Sequence, residues 1–378
     1  MRIIGIVLLL FLGLWRCSDD KHTSPMADRT VIVYLGVDNN FSGEDDEKIA
    51  GLTEGWKENF TGHLLVYADP RPKGSGSDNP QGEPYLTEIL WENGKAVARE
   101  VKRYKESNSA DPVVFRRVLS EIVDEYPAQS YGLVVLSHAS GWLPSNTLAS
   151  PRSVISDGGK EMEVRDFVTA LPVKMAFVIF DACLMGGVEV AYEFKDYADY
   201  LVFSPAEVLV PGFVYKTMMG HLMKEKPDLT AVAREFYEYY DKLSGAWRSA
   251  TVTVLDVSKM EALTKLAKEL LAGVDGEKRL NIGHIQRYGY GWHNLYFDLG
   301  DYLETLYPQR VGEIEAALNA CIVYKAHTPG YYSAGNGSYS AIDFYSGLTI
   351  YIPQEAYPYM NNEYKKMKWT QQVNPYIP

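Results

Sequence analysis

The sequence predicts an α/β protein in which helices cover both faces of a mostly parallel sheet, and two observations lead to that fold class. Short apolar runs of strand length alternate along the chain with segments of helical periodicity. Such runs are typical of strands buried on both faces, and strands that alternate with helices build a mainly parallel sheet. The length of 378 residues allows a large hydrophobic core without disulfide bonds.

The first half of the sheet is predicted from four apolar runs. Strand candidates at residues 31–37 and 63–68 are followed by a helix at residues 112–126, in which apolar side chains recur at every fourth position. The next strand candidates are residues 132–136 and 175–180. Their continuous apolar character places them in the centre of the sheet.

The second half continues the alternation and then changes in composition. Residues 201–203 and 250–255 are strand candidates, and residues 229–243 and 259–271 are helix candidates. From about residue 272 the chain becomes rich in aromatic residues and glycine. We interpret this part as a C-terminal extension that packs on the sheet.

Two polar segments interrupt the order. Residues 69–84 are rich in Pro, Gly and Ser and are predicted to form a mobile loop. Residues 143–165 form a long connection with two prolines and two adjacent glycines, and connections of this length are usually functional or disordered.

Composition excludes some classes of function. The chain has 37 basic and 49 acidic residues, a formal net charge of −12, which argues against nucleic acid as a partner because phosphate binding needs a basic face. The 28 tyrosines against 13 phenylalanines indicate aromatic rings at hydrated edges. Only three cysteines are present, Cys17, Cys183 and Cys321, so no disulfide framework is predicted.

An export signal is predicted at the N-terminus. Residues 3–15 are an uncharged apolar run of 13 residues, too short to span a hydrocarbon core of about 30 Å as a helix. Cys17 and a polar stretch through residue 29 follow. This pattern resembles a bacterial lipoprotein signal, which implies a signal peptide at 1–16, acylation of Cys17, a polar tether at 17–29, and anchoring at the cell envelope, at the outer membrane or the cell surface. The residue before the cysteine is Arg16 where such signals usually have a small residue, and simple secretion with an incidental Cys17 is the alternative.

Two predicted strand ends are followed by side chains that can take part in catalysis. The run that ends at Leu136 is followed by Ser137 and His138, and the run that ends at Phe180 is followed by Asp181, Ala182 and Cys183. Ligands of parallel sheets bind at the carboxyl ends of the strands. We therefore expect His138 and Cys183 to lie at one edge of the sheet. Either residue by itself is more often part of the core.

These motifs resemble the clostripain family of cysteine peptidases, which are relatives of caspases, gingipains and legumains. The family pairs a strand ending in His-Gly-x-Gly-Trp with one ending in Asp-Ala-Cys-Leu-Met, and this chain has His-Ala-Ser-Gly-Trp at 138–142 and Asp-Ala-Cys-Leu-Met at 181–185. Residues 203–207, 298–302 and 346–353 extend the resemblance over most of the chain. The departure is Ala139 in place of glycine.

The resemblance implies a caspase-like three-layer α/β/α sandwich with a catalytic domain at residues 30–271 and the extension at 272–378. It implies Cys183 as the nucleophile, His138 as the general base, and an oxyanion site formed by the backbone N–H groups of Ala139 and Cys183. A thiol with a pKa of about 8.5 needs such a base at neutral pH. A predicted helix at residues 184–194 would also favour the thiolate through its positive end.

A pocket for a basic substrate side chain is also implied. In the family, the acid at Asp181 forms part of this pocket, and Glu207 at a neighbouring strand end is a second candidate. These assignments predict cleavage after Arg or Lys. The alternatives are a helix-capping carboxylate at Asp181 and a solvated loop charge at Glu207.

Relatives of the family mature by cutting themselves between the two catalytic strands. The basic candidates for such processing are Arg152 and Lys160, and Lys160 is preferred because Pro151 restricts the chain before Arg152. The acidic residues 43–47 are a possible calcium site, which some family members need, but they lack the alternating ligands of a calcium loop, so a solvated helix start is the better interpretation. No cofactor is required by thiol chemistry.

The two remaining cysteine assignments complete the prediction. Cys321 is predicted to lie in a helix core, and a disulfide between Cys183 and Cys321 is the alternative that export would permit. The sequence thus predicts an exported cysteine endopeptidase with protein or peptide substrates, a lipid anchor in the membrane and no nucleic-acid partner. The rival from another class is a surface-binding protein that keeps the fold but is impaired by Ala139.

Overall fold

We describe a computed structural model of the chain, which covers residues 26–41, 43–72, 77–105, 107–144, 154–275, 279–289 and 295–374. The predicted signal peptide, Cys17 and residues 17–25 of the predicted tether therefore lie outside the described residues, as does Arg152. The prediction of a tether through residue 29 is wrong at its end, because residues 27–29 pair into the sheet as the start of a strand. Within the described residues, no helix has both the length and the apolar character needed to cross a bilayer.

The strands of the described residues are β1 (Ala27–Val37), β2 (His63–Pro70), β3 (Tyr85–Glu92), β4 (Lys95–Arg103), β5 (Ala128–Leu136), β6 (Ile155–Asp157), β7 (Lys160–Met162), β8 (Met175–Asp181), β9 (Ala198–Phe203), β10 (Thr251–Asp256), β11 (Phe297–Asp298), β12 (Ile322–His327), β13 (Gly330–Ser333), β14 (Ser338–Ala341) and β15 (Thr349–Ile350). The helices are α1 (Glu44–Gly55), α2 (Pro112–Glu125), α3 (Val164–Ala170), α4 (Val188–Glu193), α5 (Tyr215–Leu222), α6 (Leu229–Asp241), α7 (Glu261–Leu271), α8 (Leu299–Leu306), α9 (Val311–Cys321), α10 (Pro358–Tyr364) and α11 (Lys368–Val373).

A nine-stranded sheet forms the centre of the fold, in the order β12-β10-β9-β8-β5-β1-β2-β3-β4. The five strands from β9 to β2 are parallel to their neighbours, and the pairs at both ends of the sheet are antiparallel. The predicted α/β class with a mostly parallel sheet is confirmed. The C-terminal extension contributes an edge strand, β12, to this sheet.

Side chains of alternate residues separate the core into two layers, because successive residues of a strand point to opposite faces. On β1, Ile32 and Tyr34 belong to one apolar cluster with Phe115 of α2, whereas Val31 and Val33 belong to the other. Helices α2, α3, α4 and α7 contribute to the first cluster, and α1, α5 and α6 contribute to the second. The result is the predicted three-layer α/β/α sandwich.

Each strand and helix predicted between residues 31 and 271 is present, with ends displaced by a few residues. The sequence reasoning predicted a helix start at residues 43–47, where α1 begins, but missed α5 and the β3–β4 hairpin. It was also wrong to treat residues 143–165 as one loop, because this connection contains the β6–β7 hairpin and the start of α3. The hairpin is held by its own pairing and by two hydrogen bonds between Ser137 and Ser156, contacts that the local composition does not reveal.

Candidate active site

The parallel register of β5 and β8 brings the two predicted catalytic residues to the same edge. Leu136 lies opposite Asp181 in this pairing, and His138 and Cys183 each follow two residues later. A parallel ladder without a shift keeps such equivalent positions side by side at the carboxyl end. The imidazole is largely buried, with 8% of the residue exposed, and Cys183 is half-buried.

The connection between β1 and α1 covers the imidazole. The ring of Phe41 stacks on His138 with 3.9 Å between the ring centres, and Phe41 also lines the cavity that contains Cys183. Asn40 Oδ1 is hydrogen-bonded to His138 Nε2. An amide oxygen only accepts, so Nε2 carries the proton and Nδ1 is the basic nitrogen. Sequence reasoning missed both residues, although their position three and four residues beyond the carboxyl end of β1 was a signal.

The sulfur of Cys183 lies against the main chain of Val208. The N–H of Val208 donates to Sγ at 3.3 Å, and the carbonyl oxygen of Val208 is 3.8 Å away. A hydrogen bond from an N–H group favours the charged form of its acceptor. The Val208 N–H thus favours the thiolate, whereas the Val208 carbonyl accepts from the thiol and favours the neutral form.

The predicted helix at 184–194 is wrong in its first turn, because α4 begins only at Val188. The N–H groups of Leu184 and Gly186 instead donate to the carbonyls of Ala206 and Ser204. This pairing with a distant segment overrides the local helical pattern. Cys183 consequently receives no stabilisation from a helix dipole, which decays within one turn. Leu184, directly after Cys183, has a φ of +60°, a strained conformation of the kind found at active sites.

Ala139 is accommodated without backbone strain. Among the described residues other than glycine, only Asn93 and Leu184 have positive φ, so Ala139 does not need the freedom of the family's usual glycine. Gly141 does need it, with a φ of +65° and a space in which a Cβ would lie 2.7 Å from the carbonyl oxygen of Leu184. The histidine loop and the cysteine loop therefore pack in direct contact at Gly141.

Asp181 lies in the wall of the cavity that contains Cys183. It is 4% exposed, and its Oδ2 accepts the N–H of Phe213 at 3.3 Å. Burial raises the pKa of Asp181 to about 6, while Lys48 acts in the opposite direction. Gly212 is required beside it, because a Cβ there would lie 2.3 Å from the Asp181 carboxylate.

Two residues of α1 complete this cavity. Glu44 and Lys48 line it together with Asp181 and Cys183, and the Lys48 ammonium contacts Glu44 Oε2 at 2.8 Å. Lys48 Nζ also donates to the carbonyl of Pro211 at 2.5 Å. Sequence reasoning assigned this acidic helix start to solvent or calcium and missed its contact with the site.

Glu207 lies elsewhere. Its carboxylate accepts the hydroxyl of Ser333 at 2.5 Å and the N–H of Ala334 at 2.9 Å, and it is not among the residues that line the Asp181 cavity. These bonds attach the segment after β9 to the end of β13. The geometry thus gives Glu207 a structural contact and offers no support for a second pocket acid.

The other predicted positions are placed as follows. Lys160 begins β7 and is exposed. Cys321 is buried at the end of α9, where burial raises the pKa of its thiol to about 12. Both described cysteines are free, so the alternative disulfide does not form.

In the described part of the chain, no group of three or more His, Cys, Asp or Glu side chains is arranged to hold a metal ion. In the acidic segment, Glu44 pairs with Lys48, and Asp45 accepts the hydroxyl of Tyr85.

A caspase-like sheet that presents a histidine and a cysteine at one carboxyl edge defines a cysteine peptidase. The chain belongs to the clostripain family, because the model of that family, Peptidase_C11, matches residues 33–375.

Relatives of known structure support this assignment. An inactive zymogen of a C11 protease from Parabacteroides distasonis is 30% identical, with a TM-score of 0.81 over 93% of this chain and 99% of that one. A secreted C11 cysteine protease from Bacteroides thetaiotaomicron, solved with an irreversible peptide inhibitor, is 26% identical, with a TM-score of 0.79 over 92% and 98% of the two chains. Clostripain of Hathewaya histolytica is 25% identical over 54% of this chain and 45% of its own length. The chain thus matches less than half of that curated relative.

Proposed function

We propose that this protein is an endopeptidase that uses Cys183 and His138 as a catalytic dyad and cleaves after arginine or lysine. The observation that carries the proposal is the unshifted parallel register of β5 and β8, which sets His138 and Cys183 at equivalent positions beyond Leu136 and Asp181. The acid of the adjacent cavity supports the preference for a basic side chain. Neighbours that are cysteine proteases support the reaction class.

The proposed mechanism assigns each step to a group of the chain. His138 Nδ1 takes the thiol proton of Cys183, and Sγ attacks the carbonyl carbon of the scissile peptide. Backbone N–H groups of Ala139 and Cys183 stabilise the oxyanion that forms. The imidazolium then gives its proton to the leaving amine, and water, deprotonated by the same imidazole, releases the acyl group and restores the thiol.

The dyad is tested with an acyloxymethyl ketone peptide that ends in arginine, since this electrophile reacts only with an activated thiolate. Mass spectrometry should find one label, on Cys183. Cys321→Ala is the matched control and should label fully, because Cys321 is buried and its pKa is raised. Cys183→Ala should not label. Labelling that persists in Cys183→Ala would show that the nucleophile is another residue.

Self-processing between the catalytic strands is part of the proposal. Lys160 is exposed and follows Gly158 and Gly159, both at positive φ, and a relative of this fold is known as a zymogen. Arg152 is the second candidate. Active enzyme should separate into two fragments, and Cys183→Ala should remain one chain. Comparing Lys160→Gln with Arg152→Gln should identify the cleaved bond, because the variant that lacks the processing residue should stay intact. A fully active, intact wild-type chain contradicts this step.

Export with a lipid anchor completes the proposal. The apolar run before Cys17 and the secreted neighbour support export, and two or more acyl chains on Cys17 would anchor firmly where one binds only marginally. Radiolabelled palmitate should enter the wild type. Equal incorporation into Cys17→Ala would reject acylation at this cysteine.

A further inference from the structure

The first turns of α1 form one wall of the substrate cavity. Phe41, Glu44 and Lys48 line it on one side, and Asp181 and Cys183 line it on the other. Glu44 and Lys48 are four residues apart and therefore share one face of the helix. The cavity beside the catalytic cysteine and the pocket acid is thus lined in part by a helix that the proposed mechanism does not use.

Lys48 makes the contacts that a basic substrate side chain would need. Its ammonium donates to the Pro211 carbonyl at 2.5 Å and pairs with Glu44 at 2.8 Å. It lies 5.2 Å from the centre of the Tyr215 ring, within cation–π distance. The residue is only 4% exposed, whereas lysine is almost never fully buried unless it is paired.

The remaining space is too small for a second cation. The cavity holds about 20 Å³, which is room for roughly one water molecule. An arginine or lysine side chain cannot enter while Lys48 occupies the wall beside Asp181. Lysine has a flexible four-carbon stem and a strongly hydrated ammonium. The two residues before Lys48 in α1, Asp46 and Glu47, are exposed, so the Lys48 side chain is close to solvent and can turn towards it.

We infer that Lys48 is a specificity-determining residue that occupies the basic pocket as an internal competitor, and that a substrate arginine or lysine must displace it. The inference rests on the proposed basic specificity. Displacement breaks the contacts of Lys48 to Glu44 and Pro211, and the substrate cation then takes the place of Lys48 near Asp181. The free-energy cost of displacing Lys48 weakens the binding of basic substrates only, because a small neutral side chain does not need the pocket.

The test compares wild type, Lys48→Met and Lys57→Met on two fluorogenic peptides that differ only in arginine or alanine before the cut. Methionine keeps the apolar stem and removes the charge. We expect the arginine-to-alanine ratio of kcat/KM to rise at least about tenfold in Lys48→Met, the lower end of the value of one charge-assisted contact. The change should be a lower KM for the arginine substrate. Lys57, exposed just beyond the same helix, is the matched control and should keep the wild-type ratio.

A binding measurement keeps the test independent of turnover. Calorimetry with a peptide that ends in arginine should show roughly tenfold tighter binding to Cys183→Ala/Lys48→Met than to Cys183→Ala, and circular dichroism checks that both are folded. An unchanged or lower arginine-to-alanine ratio in Lys48→Met, or unchanged peptide affinity, overturns the inference. Failure of the proposed basic specificity is a distinguishable result: wild type and Lys48→Met would then both prefer the alanine substrate.

Discussion

Replacing Asp181 with asparagine should make the protein more stable and less selective. The carboxyl is buried, and its pKa is about 6 instead of the ordinary 3.8. Between these values the native state binds a proton that the unfolded state has released, so the free energy of unfolding falls as the pH rises through about 4 to 6. The difference corresponds to about 3 kcal/mol.

Above pH 6 the native state therefore retains a buried charge at a cost that a neutral amide avoids. The pKa of about 6 already includes the bond from the Phe213 N–H to the charged form, so an amide that behaves like the protonated acid gains up to about 3 kcal/mol at pH 8 and little at pH 4. Urea unfolding of Asp181→Asn and wild type, both in a Cys183→Ala background, measures this difference.

The same substitution should reduce kcat/KM for arginine substrates by about 10- to 150-fold relative to alanine substrates, because one buried charge-assisted bond is lost, worth about 1.5–3 kcal/mol. In wild type this preference should decline as the pH falls through about 6. Asp298→Asn is the matched control: Asp298 is buried with a pKa of about 6 but caps α8, and its loss should leave the ratio unchanged. Lower stability at pH 8 and equal slowing of both substrates would refute the reasoning and make Asp181 a structural cap.

The geometry around the dyad predicts three more outcomes. Cys183→Ala should abolish hydrolysis and shift Tm by only a few degrees, because little buried volume is lost; turnover in this variant would locate the chemistry elsewhere. Asn40→Ala should lower kcat by about 2- to 13-fold through loss of one neutral hydrogen bond to His138, worth about 0.5–1.5 kcal/mol, and unaltered rates would contradict a positioning role. Gly141→Ala should lower the free energy of unfolding by at least about 1 kcal/mol, whereas Gly220→Ala, in α5 with open space around it, should raise it in the same denaturation assay.

Local pattern was sufficient for the central strands of the sheet and for placing His138 and Cys183 beyond their carboxyl ends. Apolar runs of strand length predicted the parallel strands, and a parallel sheet aligns the carboxyl ends of β5 and β8 by its own geometry. The motif residues His138, Asp181 and Cys183 lie at those ends. Their position could be predicted because Asp181 ends a clearly apolar strand, and His138 and Cys183 lie two residues beyond the ends of such strands.

The rest of the site depends on contacts between segments that are distant in sequence. The main-chain pairing of Leu184 and Gly186 with residues 204–206 replaced a predicted helical turn. Glu207, predicted as a second pocket acid, bonds to Ser333 and Ala334 instead of lining the Asp181 cavity.

Lys48 is the clearest case, because an acidic helix start is ordinarily solvated, and only the packing of α1 against the carboxyl edge of the sheet places its ammonium in the cavity beside Asp181. The sequence by itself located His138 and Cys183 at the carboxyl edge of the sheet. Tertiary structure alone decided which charges surround them, because electrostatic neighbours are set by distance in space and not by separation along the chain.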